Sequence, residues 1–437
     1  MGYRARRGAS TCSLDDVPPP HVPSRLRKKI EWLLRRAEGA LLPEAVLRGP
    51  GAHLDPAGAR LALRVASDDV AIVGATDRVL ALIRAETDAH VRERYVATWG
   101  VCGARRFEAR GARIYSLEVE TFPRHVNNVY LVLEGSASLL FDCGSGLPTS
   151  ERDMALGFAV LASIHGESVR REDVETCVIS HAHADHWGGA SQLRRSSRAS
   201  LEVHELDARV IASFEERLVL ASKDLDVYWR RAGVPPEERE VMRLLYASGK
   251  RVFHSARIDR TLRDGDLVGA GYKVHHVPGH CPGLVCLQVH DVLLTSDHVL
   301  ARITPHQFPQ AITAFAGLEH YFQSLEKIRR VGGVRLALGG HEEPIDDVSG
   351  RIDEIVLFHR ARLERTLALC DAPRTVYEVA RAMFGEQEGY GAILAIDEAG
   401  AHVEHLHALG RLRVDNLDEV AAADDPVLRY AARSDAA

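Results

Sequence analysis

The chain has 437 residues, 46% of them hydrophobic and 27% charged, with a formal net charge of −6. Such a composition belongs to a globular protein long enough for two or three domains with buried cores. The acidic balance excludes a global attraction to polyphosphate or to an anionic membrane, and no run approaches the roughly 18–20 consecutive apolar residues of a membrane span.

The first residues, "MGYRARRGASTCSLDDVPPP", carry basic side chains with no apolar stretch after them, so they predict no secretory leader. Arg6 stands where an N-myristoylation signal wants Ser or Thr. The expected location is cytoplasmic. Seven cysteines without a CxxC pattern read as reduced thiols rather than a disulfide framework. Cys281 and Cys286 are the closest pair, and a thiolate metal site there is a minor alternative.

Residues 1–25, with Pro18, Pro19, Pro20 and Pro23, read as a flexible leader. The rest of an N-terminal extension reaches to about residue 110. It contains "RLRKKIEWLLRRAEGALL", which is either a helix touching a membrane or acidic partner or a solvated helix packing Ile30, Leu33 and Leu34 inward; the second reading is adopted. From 111 onward, "IYSLEVETF", "NNVYLVLEG" and "ASLLFDCGSG" are β-branched and apolar runs broken by Gly, Pro and Asn, as in adjacent strands. A helix near 151–166 and the strand "ETCVIS" follow. This order predicts an α/β sandwich.

The strand leads into "HAHADH" at 181–186. One residue separates His181 from His183, so on extended backbone both imidazoles face the same way and can grip one ion. Asp185 and His186 lie just beyond and can reach a second. Six residues alone also permit a surface histidine cluster. The same layout recurs, however: "VHHVPGH" ends at His280, "DVLLTSD" at Asp297 and "VRLALGGH" at His341, each after an aliphatic run.

With these motifs in this order, and with Asp142 in "LFDCGSG", residues 111–348 resemble the metallo-β-lactamase-fold hydrolase superfamily. The resemblance implies an αβ/βα sandwich with a dinuclear metal site at one edge. By motif, His181, His183 and His280 bind the first ion and Asp185, His186 and His341 the second. Asp297 bridges them, and Asp142 holds the ligand loop. An aspartate bridge is similar to that of the glyoxalase II, lactonase and nuclease branches. Ser296 departs from the Gly that many relatives carry before this aspartate.

The chemistry so implied is a shared water made acidic by two dications, with a carbonyl or phosphoryl oxygen polarised beside it. Asp185 and Asp297 are the catalytic candidates. Imidazole and carboxylate ligands suit zinc, the expected metal, and also iron or manganese. "HEEPI" at 341–345 lacks the second His of a zincin, and "CGSG" around Ser145 is no nucleophile elbow.

Residues 205–250 interrupt the strands with helical periodicity and predict a lid. Tyr228 and Trp229 are candidate substrate-wall residues there, with ordinary helix packing as the alternative. The loop "HVLARITPHQFPQ" offers Arg302 and His306 to an anionic substrate group, or Arg302 to a structural carboxylate. Residues 349–437 predict three helices and a hairpin, resembling the winged-helix-like tail of the lactamase-β-like branch, which includes an endoribonuclease. The helix around 397–409 carries Glu398, Glu404 and three histidines, and a nucleic-acid-reading helix should be basic. The tail therefore reads as a packing and homo-oligomerisation module. The expected function is hydrolysis of a small-molecule ester or thioester, glyoxalase II-like, with the endoribonuclease or a lactonase as alternatives; neither nucleic acid nor a membrane is the expected partner.

Overall fold

The computed structural model describes residues 104–123 and 125–433. The leader at 1–25 and the basic stretch after it lie outside the described residues. The chain divides into two compact units, one taking the residues up to Val178 with Asp185–Ser200, the other Ile179–Ala184 and Leu201 onward.

In the first unit, strands β1 (Ala104–Ala109), β2 (Ala112–Phe122), β3 (His125–Glu134) and β4 (Ala137–Phe141) pair antiparallel in sequence order. Helix α1 (Pro148–Val160) then leads to β5 (Thr176–Ile179), parallel to β4. Among the described residues, sheet structure is thus already present at Ala104, ahead of the boundary expected near 110. Three charges in "ARRFEA" hide the strand from a hydrophobicity reading, and only Ala104 and Ala109 in it are buried. The one-turn helix α2 (Ala184–Trp187) and α3 (Ala190–Ser196) follow β5. A Cβ on Gly189 would fall 2.3 Å from the Cys143 carbonyl oxygen, so only glycine lets this turn close against the end of β4.

In the second unit, β6 (Ser200–His204) pairs parallel with β7 (Arg260–Leu262). Between them lie α4 (Glu205–Ala212), α5 (Phe214–Arg231) and α6 (Pro236–Lys250). A five-stranded sheet follows in the order β12-β11-β10-β9-β8, from β8 (Leu267–Val268), β9 (Tyr272–His276), β10 (Val285–Val289), β11 (Val292–Ser296) and β12 (Leu336–Gly339). Helix α7 (Leu318–Arg329) makes the crossover that lets β11 and β12 run parallel.

The C-terminal part is α8 (Val348–Leu369), α9 (Val376–Phe384), α10 (Tyr390–Ala408) and a short antiparallel pair, β13 (Leu412–Val414) with β14 (Tyr430–Ala432), around α11 (Leu417–Ala422). Thr375 and Glu378 form a reciprocal capping box at the start of α9. Leu225, Trp229 and Met242 of the 205–250 segment share one core with Val379, Ile393, Ile396 and Leu406, so that segment buries its apolar face against the C-terminal helices. Among the described residues no helix is long and apolar enough to cross a membrane.

Candidate metal centre

Strand β5 delivers the chain into the histidine motif, and backbone pairing holds it there: Val285 N–H donates to the Ser180 carbonyl at 3.0 Å. The Asp207 carboxylate, at the start of α4, accepts from Ala182 N–H at 2.8 Å and Gly283 N–H at 2.9 Å, and from the Cys281 thiol at 3.3 Å. One buried side chain therefore ties the loop of His181 and His183 to the loop after His280. Burial pushes the Asp207 carboxyl up to about 6, against the pull of those donors. Sequence reading passed over this residue, whose signal was an aspartate just inside a helix that follows a strand.

The three histidines converge. His183 Nδ1 lies 3.0 Å from His181 Nε2 and 3.0 Å from His280 Nε2, with the rings edge to face at 74° and 86°. The far nitrogens of His280 and His181 are held. His280 Nδ1–H donates to the His306 carbonyl at 2.6 Å, which leaves Nε2 as a lone pair in the neutral ring. His181 Nδ1 is 2.9 Å from Ser180 Oγ. A single proton on His183 Nδ1 can serve only one of its two neighbours, so hydrogen bonding alone does not account for the cluster. Tetrahedral zinc with Zn–N bonds of about 2.0–2.1 Å brings ligand nitrogens to similar separations, and the donor set fits a divalent ion.

Parallel pairing of β11 and β12 puts the residues after both strands at the same sheet edge. Asp297 Oδ2 there lies 3.4 Å from His341 Nε2 and 3.8 Å from His280 Nε2. Ser296, the residue that departs from glycine, sits at φ 46°, a left-handed conformation that costs a side-chain-bearing residue about 1–2 kcal/mol. Its hydroxyl donates to Ser180 Oγ at 2.7 Å and so supports the atom against which His181 is set.

In the first unit, Asp142 is buried at the end of β4, and its Oδ2 accepts from His186 Nδ1 at 2.8 Å. This leaves His186 Nε2 as the lone-pair nitrogen, and Asn127 Nδ2 lies 3.1 Å from it. Asp185 Oδ2 is held by Asn127 Nδ2 and by His125 Nε2, each at 3.0 Å. Asn127 and His125, on β3, escaped the sequence reading because neither falls in a histidine-rich motif.

The substrate candidates fare differently. Trp229 is fully buried in the core with the C-terminal helices, and the Tyr228 hydroxyl abuts helix α10, 1.7 Å from where a Cβ on Gly400 would be. Trp229 serves helix packing, the alternative reading of its position, whereas Tyr228 both meets α10 and lines a small cavity with Pro309 and Glu404: the periodicity of α5 located a buried face and not the surface it meets. Arg302 is 75% exposed, and its Nε lies 3.4 Å from Glu342. The His306 ring turns to Glu398, with Nδ1 3.3 Å from Oε2, and burial pushes it down to about 3; the part of His306 that meets the triad is its carbonyl. Phe308, which sequence reading missed, faces the triad, its ring centroid 5.7 Å from that of His183 and 6.4 Å from that of His280. Cys281 and Cys286 point to separate acceptors, Asp207 and the Thr295 carbonyl, and form no thiolate pair.

Residues 123–341 match the family model of the Metallo-beta-lactamase superfamily. In structure the chain is similar to a metallo-beta-lactamase family protein from Thermus thermophilus, with 27% identity and a TM-score of 0.60 over 73% of this chain and 98% of that one. In sequence it is similar to the probable metallo-hydrolase YqjP of Bacillus subtilis, 23% identical over 64% of this chain and 87% of that protein. It is also similar to an atrochrysone carboxyl ACP thioesterase of Aspergillus fumigatus, 24% identical over 59% of this chain and 68% of that protein.

Proposed function

The chain belongs to the metallo-beta-lactamase superfamily and is a metallo-hydrolase with that superfamily's fold; on that premise we propose that its substrate is a small-molecule ester or thioester. The observation that carries this reading is Phe308, whose ring lies beside His183 and His280 and offers an apolar wall for an acyl or aryl group. A phosphodiester asks instead for cationic side chains at the site. Of the arginines near this loop, Arg302 pairs with Glu342 and Arg362 with Glu398. The thioesterase among the relatives supports the same substrate class.

His181, His183 and His280 would hold one divalent ion, with Asp297 between them and His341. Motif order assigns Asp185, His186 and His341 to a second ion. Zinc suits these ligands, as do iron and manganese. Bound metal supplies Lewis acidity and a water acidic enough to be deprotonated near neutral pH. The protein's own part is to fix ligand tautomers, through the His306 carbonyl and Asp142, and to keep the acyl group against Phe308.

Elemental analysis paired with initial rates on thioesters, aryl esters, lactones and single-stranded RNA tests the proposal. Two metals per chain and thioester or ester turnover that is lost in His183→Ala are expected. RNA cleavage alone would move the function to the nuclease branch, and less than one metal per chain would overturn the metal site itself.

A further inference from the structure

The loop from 301 to 317 has no regular secondary structure, so its backbone groups need partners elsewhere. Three carboxylates supply partners for five of its N–H groups. Glu342 accepts from Arg302 and Ile303 N–H at 2.7 and 3.1 Å. Two glutamates of α10 hold further N–H groups: Glu398 accepts from Gln307 N–H at 2.7 Å, while Glu404 accepts from Gln310 and Ala311 N–H, the latter at 3.0 Å.

Glu398 differs from the other two in what lies across the peptide it holds. The 306–307 peptide group donates its N–H to Glu398 and accepts on its C=O from the Nδ1–H of His280 at 2.6 Å. A carboxylate drawing on the N–H makes the carbonyl a stronger acceptor, since hydrogen bonds in series polarise one another. The stronger carbonyl draws on the imidazole N–H and makes Nε2, the nitrogen facing His183, a better donor. Metal-binding histidines commonly give their other N–H directly to a carboxylate; here a peptide group stands between.

Glu398 is built to stay in place. It is 5% exposed, Arg362 of α8 donates to its Oε1, and its own carbonyl accepts from His402 Nδ1–H at 2.7 Å. Burial raises its carboxyl, with the Arg362 guanidinium opposing that shift. We propose that Glu398 is a positioning residue for the metal ligand His280, acting through the 306–307 peptide, so that the C-terminal helices govern how firmly the centre holds its metal. The proposal rests on the reading of His280 as a ligand.

The test compares Glu398→Gln with Glu404→Gln in the full-length, metal-loaded protein. The first removes the charge behind His280. The second weakens an equivalent loop anchor three residues further on and leaves the relay intact. Metal loss to excess chelator should run on the order of 10–100-fold faster in Glu398→Gln, near the wild-type rate in Glu404→Gln, and recover in Glu398→Asp. Equal acceleration in both Gln variants would mean that loop stiffness alone matters, and no acceleration in either would also overturn the proposal. The His280 Nδ1–H proton, followed by NMR with labelled histidine, is the second readout. It should sit far downfield in the wild type and move upfield in Glu398→Gln, even in a protein that hydrolyses no ester. A His280 proton unaffected by the substitution would sink the relay whatever the substrate proves to be.

Discussion

Asp297 Oδ2 lies 3.4 Å from His341 Nε2, and the same oxygen is 3.8 Å from His280 Nε2. One carboxylate thus faces a member of the histidine triad and the histidine that ends the next strand. Asp297→Ala should cost the centre its second metal and slow hydrolysis by on the order of a hundred- to a thousandfold, the scale of losing a preorganised charge. The circular dichroism spectrum should stay that of the wild type. Two metals per chain in the purified variant would refute the bridging role.

Asp142 and His186 allow a cleaner separation of charge from shape. Both are buried, 2.8 Å apart, and Asp142 adopts φ 72°, a conformation that asparagine also tolerates. Asp142→Asn therefore keeps the backbone and removes only the negative charge behind the imidazole. Metal affinity measured by chelator competition should fall about 10–100-fold with little change in the thermal midpoint. Unaltered affinity would leave Asp142 as a purely architectural residue.

The motif positions were legible in the sequence because each ligand follows an aliphatic strand, and strands advertise themselves by composition. His181, His183 and His280 do converge, and Asp297 does face His341. What surrounds them was hidden. Asp207, Asn127 and Glu398 act from elements distant in sequence, through hydrogen bonds that leave no periodic trace. Phe308 lies in a loop whose path is set by carboxylates on another helix. The acidic pattern of α10, from which no nucleic-acid reading was expected, has a structural use: Glu398 and Glu404 accept from backbone N–H groups of that loop. Trp229 shows the opposite failing, an aromatic residue in a helical insertion that pattern alone could assign equally well to a substrate wall or to the core in which it lies.

Asp207 and Gly283 should be energetically coupled. Removing the carboxylate in Asp207→Ala strands the buried N–H of Gly283, at about 1–3 kcal/mol, and the half-buried N–H of Ala182 at less. In Gly283→Ala, the new Cβ would fall 2.5 Å from Asp207 Cγ and force the carboxylate aside, an overpacking cost of about 1–3 kcal/mol. With the carboxylate gone, that methyl group has room. The double variant should thus lose less stability in urea denaturation than the two single losses combined, and strict additivity would show that the two side chains do not compete for the same space.

Acid should destabilise the fold through a second histidine cluster. His359 Nδ1 and His402 Nε2 are 3.3 Å apart, and both rings are fully buried. Burial pushes His359 down to about 2 and His402 down to about 3, with the neighbouring imidazole and the Arg362 guanidinium adding to the shift at His359. In the unfolded chain both titrate near 6.5. Between that pH and about 3 the unfolded state binds protons that the folded state refuses, so the stabilisation is complete above about 6.5 and declines as pH falls. Each histidine contributes a slope of up to about 1.4 kcal/mol per pH unit. His359→Phe retains a ring among Tyr321, Phe322 and Phe358 and removes one titrating group. It should lose about 1 kcal/mol at pH 7, where His402 loses its partner, and should then decline less steeply than the wild type toward pH 4. Urea midpoints of the two proteins, taken from pH 7 to pH 4 with chelator present throughout so that metal release adds no slope, decide the matter. Parallel profiles would mean that this pair does not carry the acid sensitivity.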